Sequence, residues 1–302
     1  MLNSKKIIDT SANASVGSRA DNYWREMGFE DFTMAVRPNL PLPKSLNLDK
    51  SSIELVQRRF SIKDLSFGNW VSIEDRHNYL NSLILCCYDL NKVIAMNQNI
   101  GFGRLSVAFG ARGKGRALAH YEPHFEVINI TRYRQDTEFS KLSRFIGSGG
   151  MGAFAHEYGH FLDYYAGQFL DKSTSYFAVT GGRITSKNRT NAGGEIRETV
   201  DDILESIIWK TPNKKISPYY LRLTDIVEEN EGMGEYFLRR NEIFARWFEA
   251  WISYELRKQG INNRLLAQPK YDKRIYPINS ELETISPLFK RFCSLVKAKV
   301  II

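Results

Sequence analysis

The sequence predicts an α+β fold, and three observations predict it. Apolar residues recur at helical spacing over about 74–96. Three short β-rich runs follow at 105–110, 117–121 and 125–131, and helical patterns then fill most of the second half. The expected architecture is a small, mostly antiparallel sheet packed against several helices. The partition is a mobile N-terminal arm over 1–20 and a single domain over 21–302, mainly helical over 21–100.

Taken in order, the first twenty residues include the small, polar run TSANASVGSRA. Three prolines between 36 and 50 exclude a regular helix there. Leu80, Leu83, Ile84, Cys87 and Val93 give the 74–96 helix its core-facing side. The run ALAHYEPHFEVINIT reads as a hairpin turning at Glu122 and Pro123. The preceding ARGKGR lacks the GxxxxGK[ST] spacing of a phosphate loop and reads as a flexible turn. GSGGMG at 147–152 breaks the chain before a helix starting near Ala153, and the polar stretch GGRITSKNRTNAGG at 181–194 reads as a surface loop or lid. Further helices are expected at about 195–210, 218–230 and 235–258, with a terminal amphipathic helix from about 281.

Composition excludes several classes. The 302 residues are 43% hydrophobic and 25% charged, which is neither disordered nor fibrous. The longest apolar stretches fall short of the ~18 residues needed to span a bilayer, and no signal-peptide h-region is present. A soluble, cytoplasmic protein is expected, with delivery alongside mobile-element DNA as a variant of that setting. Cys86, Cys87 and Cys293 form no disulfide framework or CxxC pair and read as buried small hydrophobes. The net charge of +8 is spread among acidic residues. That pattern gives a nucleic-acid partner only weak support, since net charge supplies attraction without specificity.

The chemistry sits in AHEYGH, residues 155–160, an HExxH motif. Residues four apart on a helix project on one face about 6 Å apart along the axis, so His156 and His160 can bind one Zn²⁺. Glu157 adjoins the first ligand, where its carboxylate can serve as general base toward a water at the metal. The chain has only five histidines, so two at this spacing carry weight. Phe154, Tyr158, Phe161, Leu162 and Tyr165 fall on the opposite side of the same helix. Asp163 falls on the histidine face and is a candidate to orient an imidazole; the alternative is an ordinary surface carboxylate. Position 166 is Ala166, which excludes the HExxHxxGxxH pattern.

A catalytic zinc keeps three protein ligands and one open position. On NEIFARWFEAW, residues 241–251, Phe244, Trp247, Phe248, Trp251 and Tyr254 form a wide apolar face, and Glu242, Arg246 and Glu249 lie opposite. Glu242 is the preferred third ligand, because Glu-x-x-Ala puts the small Ala245 where helices must approach closely. Glu249 is the alternative ligand, or a partner of the site together with Arg246. A solvated Glu/Arg face is the bland reading for whichever glutamate is not a ligand.

Together with FGNWV (67–71), VAFGARGKG (107–115), ALAHYEP (117–123), VINIT (127–131), AFAHEYGHFLD (153–163) and EIFARWFEA (242–250), these features resemble a known family. It is the first of the large polyvalent-protein-associated domains, found in phage, plasmid and conjugative-element proteins. The resemblance implies a zincin-like metallopeptidase of the HExxH…Glu (gluzincin) type in a mobile-element setting. It carries the ligand roles to His156, His160 and Glu242 and the base role to Glu157. In zincins a sheet-edge strand beside the motif helix takes the substrate backbone. If FEVINIT plays that part, Asn129 lines the cleft and His120 or Tyr121 is placed to stabilise an oxyanion, the alternative for His120 being a structural histidine.

The expected reaction is peptide-bond hydrolysis on a protein or peptide substrate, with Zn²⁺ as cofactor. One rival is a zinc amidase acting on a non-protein substrate. Another is a non-catalytic module of the same fold that binds DNA or a host protein. In that case Glu157→Gln leaves biological activity intact, and DNA affinity falls steeply with salt.

Overall fold

The structure is a computed structural model and describes residues 36–38, 45–46, 52–69, 71, 73–111, 119–131, 151–171, 177–185, 193–210, 215–229 and 234–300. The arm expected over 1–20 lies outside the described residues, as does the middle of the 181–194 stretch. Among the described residues the fold is α+β, with eight helices, a four-stranded sheet and a two-stranded sheet. In chain order the elements begin with α1 (Ile53–Phe60), β1 (Asp64–Phe67), α2 (Ile73–Ile94), β2 (Ser106–Phe109), β3 (Ala119–Glu122) and β4 (Val127–Ile130). They continue with α3 (Phe154–Tyr165), α4 (Glu195–Ile208), β5 (Trp209–Lys210), β6 (Lys215–Ile216), α5 (Pro218–Glu229), α6 (Gly234–Leu238), α7 (Arg240–Lys258) and α8 (Asn279–Val300).

These fall into two compact units. The first comprises α1, the four-stranded sheet, most of α2 and the returning segment Gly260–Gln268; the second runs from Ala155 through α7 and resumes at Pro269.

In the first unit the sheet order is β1-β2-β4-β3. It is mixed, not mostly antiparallel as expected: β1 pairs with β2 and β2 with β4 in parallel, and only β3–β4 is antiparallel. The reason is connectivity. A strand followed by the long helix α2 returns in its original direction, whereas a tight turn reverses it. The hairpin turns where the sequence indicated, with Phe125 N–H donating to Glu122 O at 3.2 Å around Pro123. β4 is buried at all four positions, the burial of a strand covered on both faces. Helix α1 was not anticipated, although its signals are present: Ser52 Oγ caps Leu55 N–H at 3.1 Å, and Val56 and Phe60 are buried one turn apart. The chain then passes so close to Ser61 that a Cβ on Gly101 would sit 2.3 Å from Ser61 O, so only glycine fits. The segment Gly260–Gln268 is held by polar contacts, since Asn263 and Arg37 both donate to the buried Asp89, at 3.0 and 2.9 Å.

In the second unit α7 is the buried axis. Phe244, Phe248 and Trp251 are fully buried and meet Phe289 of α8, with Trp251 stacked on it at 5.1 Å. Each such ring removed from water contributes roughly 1.5–3 kcal/mol. Cys293 is buried in this unit and Cys86 and Cys87 in the other, all three free. No helix among the described residues is long and apolar enough to cross a membrane.

Candidate metal centre

Helix α3 carries the HExxH residues as its spacing requires. Phe154, Tyr158, Phe161 and Leu162 are fully buried on its back, which leaves His156 and His160 side by side on the other face with ring centroids 4.9 Å apart. The two unassigned positions of the motif are both used. Tyr158 packs against Phe248, and Gly159 lets α7 come close: a Cβ built on Gly159 would lie 3.3 Å from Ala245 Cα. The small residue three after Glu242 therefore sits at the helix crossing.

Glu242 is the third residue of α7, in the first turn, where the helix dipole favours a carboxylate. That helix starts at Arg239 without a side-chain cap. Its leading N–H groups are satisfied by a loop, Arg240 N–H donating to Ile184 O at 2.8 Å and Asn241 N–H to Gly182 O at 3.2 Å. Thus fixed, Glu242 faces both histidines. His156 Nε2 lies 3.5 Å from Glu242 Oε2 and His160 Nε2 lies 3.5 Å from Glu242 Oε1. One ligand-type atom from each of the three residues falls within 4.8 Å of the others.

The donor set fits a zinc ion. Atoms held ~2.0–2.1 Å from a tetrahedral metal stand about 3.4 Å from one another, close to the two 3.5 Å separations between Glu242 and the histidines, which are longer than a good hydrogen bond. Glu242 Oε2 is buried and has no hydrogen-bond partner among the described residues. A buried carboxylate oxygen without a hydrogen bond is costly, and a cation between the three groups would offset that cost.

Behind the histidines, Glu249 is 1% exposed, and its Oε2 lies 3.4 Å from His156 Nδ1 while accepting from Tyr276 Oη at 3.1 Å. It holds the ring nitrogen that faces away from Glu242, the arrangement that orients a ligand imidazole. Arg246 is 3% exposed and donates to Phe237 O at the end of α6. The polar side of α7 is therefore buried, and the solvated-face reading of Glu249 and Arg246 does not hold. Burial alone would lower the His156 pKa, but contact with Glu242 and Glu249, with Glu157 adjacent, pushes it up to about 10. Burial, His156 and two arginines hold His160 down at about 4 against the pull of Glu242. Burial would raise Glu242, yet the two histidines and Tyr236 hold it at about 2. In the metal-free protein His156 is thus a cation between carboxylates, and His160 is neutral.

Asp163 has a different use from the one expected. Thr180 N–H donates to its Oδ1 at 2.9 Å and Thr180 Oγ1 to its Oδ2 at 2.7 Å. Thr180 O in turn accepts from Arg240 Nε at 2.7 Å, and Arg240 Nη2 reaches Asp201 at 2.6 Å. Asp163 is therefore a fully buried anchor that ties the end of the histidine helix, through the 180–184 loop, to the start of the Glu242 helix.

Three residues near the centre were not anticipated. Tyr236, on α6, is in electrostatic contact with Glu242 and Glu157. Tyr164, four residues after His160, comes within 3.8 Å of a Cβ built on Gly182, and Arg183 lies beside it. The spacing of His156, His160 and Tyr164 was available in the sequence; nothing in it linked Tyr236 or Arg183 to the motif. His120, Tyr121 and Asn129 belong to the first unit. His120 Nε2 pairs with Glu122 Oε1 at 3.1 Å, Tyr121 is half-buried, and the buried Asn129 amide has no partner among the described residues.

Residues 228–300 match the family model described as large polyvalent protein-associated domain 1. The chain is similar to that family over α6 to α8, the part that supplies Glu242, Arg246 and Glu249, and the match does not reach the HExxH helix. No curated protein and no solved structure matches the chain.

Proposed function

We propose that the protein is a zinc-dependent metallopeptidase of the HExxH…Glu type, with the zincin fold and a phage or mobile-element origin. The observation that carries this reading is the convergence of His156, His160 and Glu242 within 4.8 Å from two separate helices. Similarity to the polyvalent-protein-associated family over 228–300 supports the setting.

When bound, Zn²⁺ would polarise the scissile carbonyl and lower the pKa of a water. His156, His160 and Glu242 would hold the ion, and Glu249 keeps the His156 ring in register by accepting from its Nδ1–H. Glu157, 7% exposed beside His156, takes the proton of the attacking water and delivers it to the leaving amine. Burial and the neighbouring carboxylates raise the Tyr236 pKa, so its phenol stays protonated. It is a donor to the carbonyl oxygen as negative charge develops there.

Elemental analysis of the purified chain and turnover of a mixed peptide library test the reading together. One equivalent of zinc and peptide cleavage are expected. Glu157→Gln should cut the rate by roughly 10²–10⁴-fold with zinc content and thermal midpoint unchanged. A parent protein without affinity for zinc, or full cleavage by the Glu157→Gln variant, would remove the proposal.

A further inference from the structure

The loop over residues 180–184 is built more firmly than a surface connection needs to be. Gly181 and Gly182 both take positive φ, at 92° and 75°. Thr180 is fastened to Asp163, and the carbonyls of Gly182 and Ile184 accept the first two N–H groups of α7. The backbone on either side of Arg183 is therefore pinned. Ile184 turns in against Gly181, where an added Cβ would meet its Cδ1 at 2.6 Å, while the Arg183 side chain is exposed.

The charges around the centre make this arginine distinctive. Three carboxylates surround His156: Glu157, Glu242 and Glu249. Of the other guanidiniums near the start of α7, Arg246 is spent on Phe237 O, Arg240 on Thr180 O and Asp201, and Arg239 lies over the Tyr236 ring at 5.8 Å. Arg183 makes no hydrogen bond or ion pair among the described residues, and it lies within electrostatic reach of His160 and Tyr164. Tyr164 continues the line of His156 and His160 along α3, and its hydroxyl lies against Gly182, next to Arg183.

We propose that Arg183, with Tyr164 beside it, forms a subsite for a carboxylate of the peptide substrate, either an acidic side chain or the chain's own carboxyl terminus. The inference rests on the peptidase reading and names the substrate class of that site. A guanidinium held on a fixed backbone gives a directed, charge-assisted bond to a planar carboxylate, and it offsets the repulsion that the glutamates would exert on an acidic peptide.

The test uses the full chain carrying Glu157→Gln and loaded with Zn²⁺, so that peptides bind without turnover. The probes are N-acetylated pentapeptides with a central Glu or Gln, each with a free or an amidated terminus. Carboxylate-bearing peptides are expected to bind roughly tenfold tighter than their neutral counterparts. Arg183→Ala should abolish that preference, Arg183→Lys should keep part of it, and Arg183→Glu should favour a central Lys instead. Discrimination within the Glu/Gln pair assigns the side chain; discrimination within the free/amidated pair assigns the terminus. Equal binding of all four peptides, no binding of any, or a preference that survives Arg183→Ala overturns the proposal. Failure of the peptidase reading is seen separately, as a parent protein that binds these peptides with the stated preference and cleaves none.

Discussion

Two buried carboxylates of the second unit sit at the same helix pair and are satisfied in opposite ways. Asp163, near the end of α3, accepts bonds of 2.9 and 2.7 Å from one residue, Thr180. Glu242, at the start of α7, meets its histidines only at 3.5 Å, and its Oε2 makes no hydrogen bond among the described residues. The first network closes on itself. The second is held by longer contacts, although the same Arg240 and Asn241 backbone fixes its position. A structural polar network and a ligand site thus differ here in how nearly each is complete without a guest, and each can be disturbed independently of the other.

The largest expected difference lies in metal affinity. Glu242→Gln replaces an anionic ligand by a neutral amide and should weaken zinc binding on the order of 100-fold or more, judged against the 10–100-fold that loss of a mere supporting partner costs. The metal-free variant should also unfold more readily than the parent at neutral pH, because Glu242 is one of the carboxylates that compensate the buried His156 cation, and removing one partner of a buried pair leaves the other charge exposed to its desolvation cost. Zinc titration against a competing chelator, with urea unfolding of the metal-free proteins, checks both halves. A variant that binds zinc as tightly as the parent would place the ligand elsewhere, Glu249 first.

Much of this contrast was legible in the sequence. The histidine pair, its apolar back, and Glu242 with Ala245 were all read from helical spacing, because helix periodicity fixes which residues share a face. The same reasoning placed Glu249 and Arg246 beside Glu242. It did not reveal that their face is buried, since amphipathic spacing separates polar from apolar without saying what covers the polar side. The sequence leaves Asp163 open between an imidazole partner and a surface carboxylate, whereas in the structure it is buried against Thr180, which arrives from a loop whose path no periodicity encodes. The sheet failed for a related reason. Three strands match the sequence reading to within two residues and β1, β5 and β6 do not appear in it, while parallel or antiparallel pairing depends on long connections, and only the Glu122–Pro123 turn is written locally. Tyr236 and Arg183 became visible only once α6 and the 180–184 loop were placed.

The closed network carries a pH signature that the open one does not share. Burial pushes the Asp163 pKa up to about 6, with Thr180, Arg197 and Arg240 restraining it. Between about pH 4 and 6 the folded chain holds a proton that the unfolded chain has released, so this group's contribution to stability falls as pH rises through that window. A shift of this size is worth about 3 kcal/mol, present below pH 4 and lost above 6. Asp163→Asn should remove that slope. Urea midpoints of parent and variant at pH 4, 5, 6 and 7 should therefore converge toward the acid end and separate toward neutrality. Parallel curves would show that Asp163 ionises in the fold as it does in the unfolded chain.

The smallest effect separates anchoring from ligation. Thr180→Val keeps the shape of the side chain and removes the hydroxyl that donates to Asp163 Oδ2 and accepts Gly182 N–H at 3.1 Å. Two buried partners lose a bond, which should destabilise the protein by about 1–3 kcal/mol. The loop keeps its backbone bonds to Arg240 and Asn241, so Glu242 stays near the histidines and zinc affinity should fall by less than tenfold. Unfolding free energy and zinc affinity measured on the same preparation give the ratio of the two effects. If affinity fell further than stability, the 180–184 loop would belong to the metal centre itself, and the division between a closed anchor and an open site would disappear.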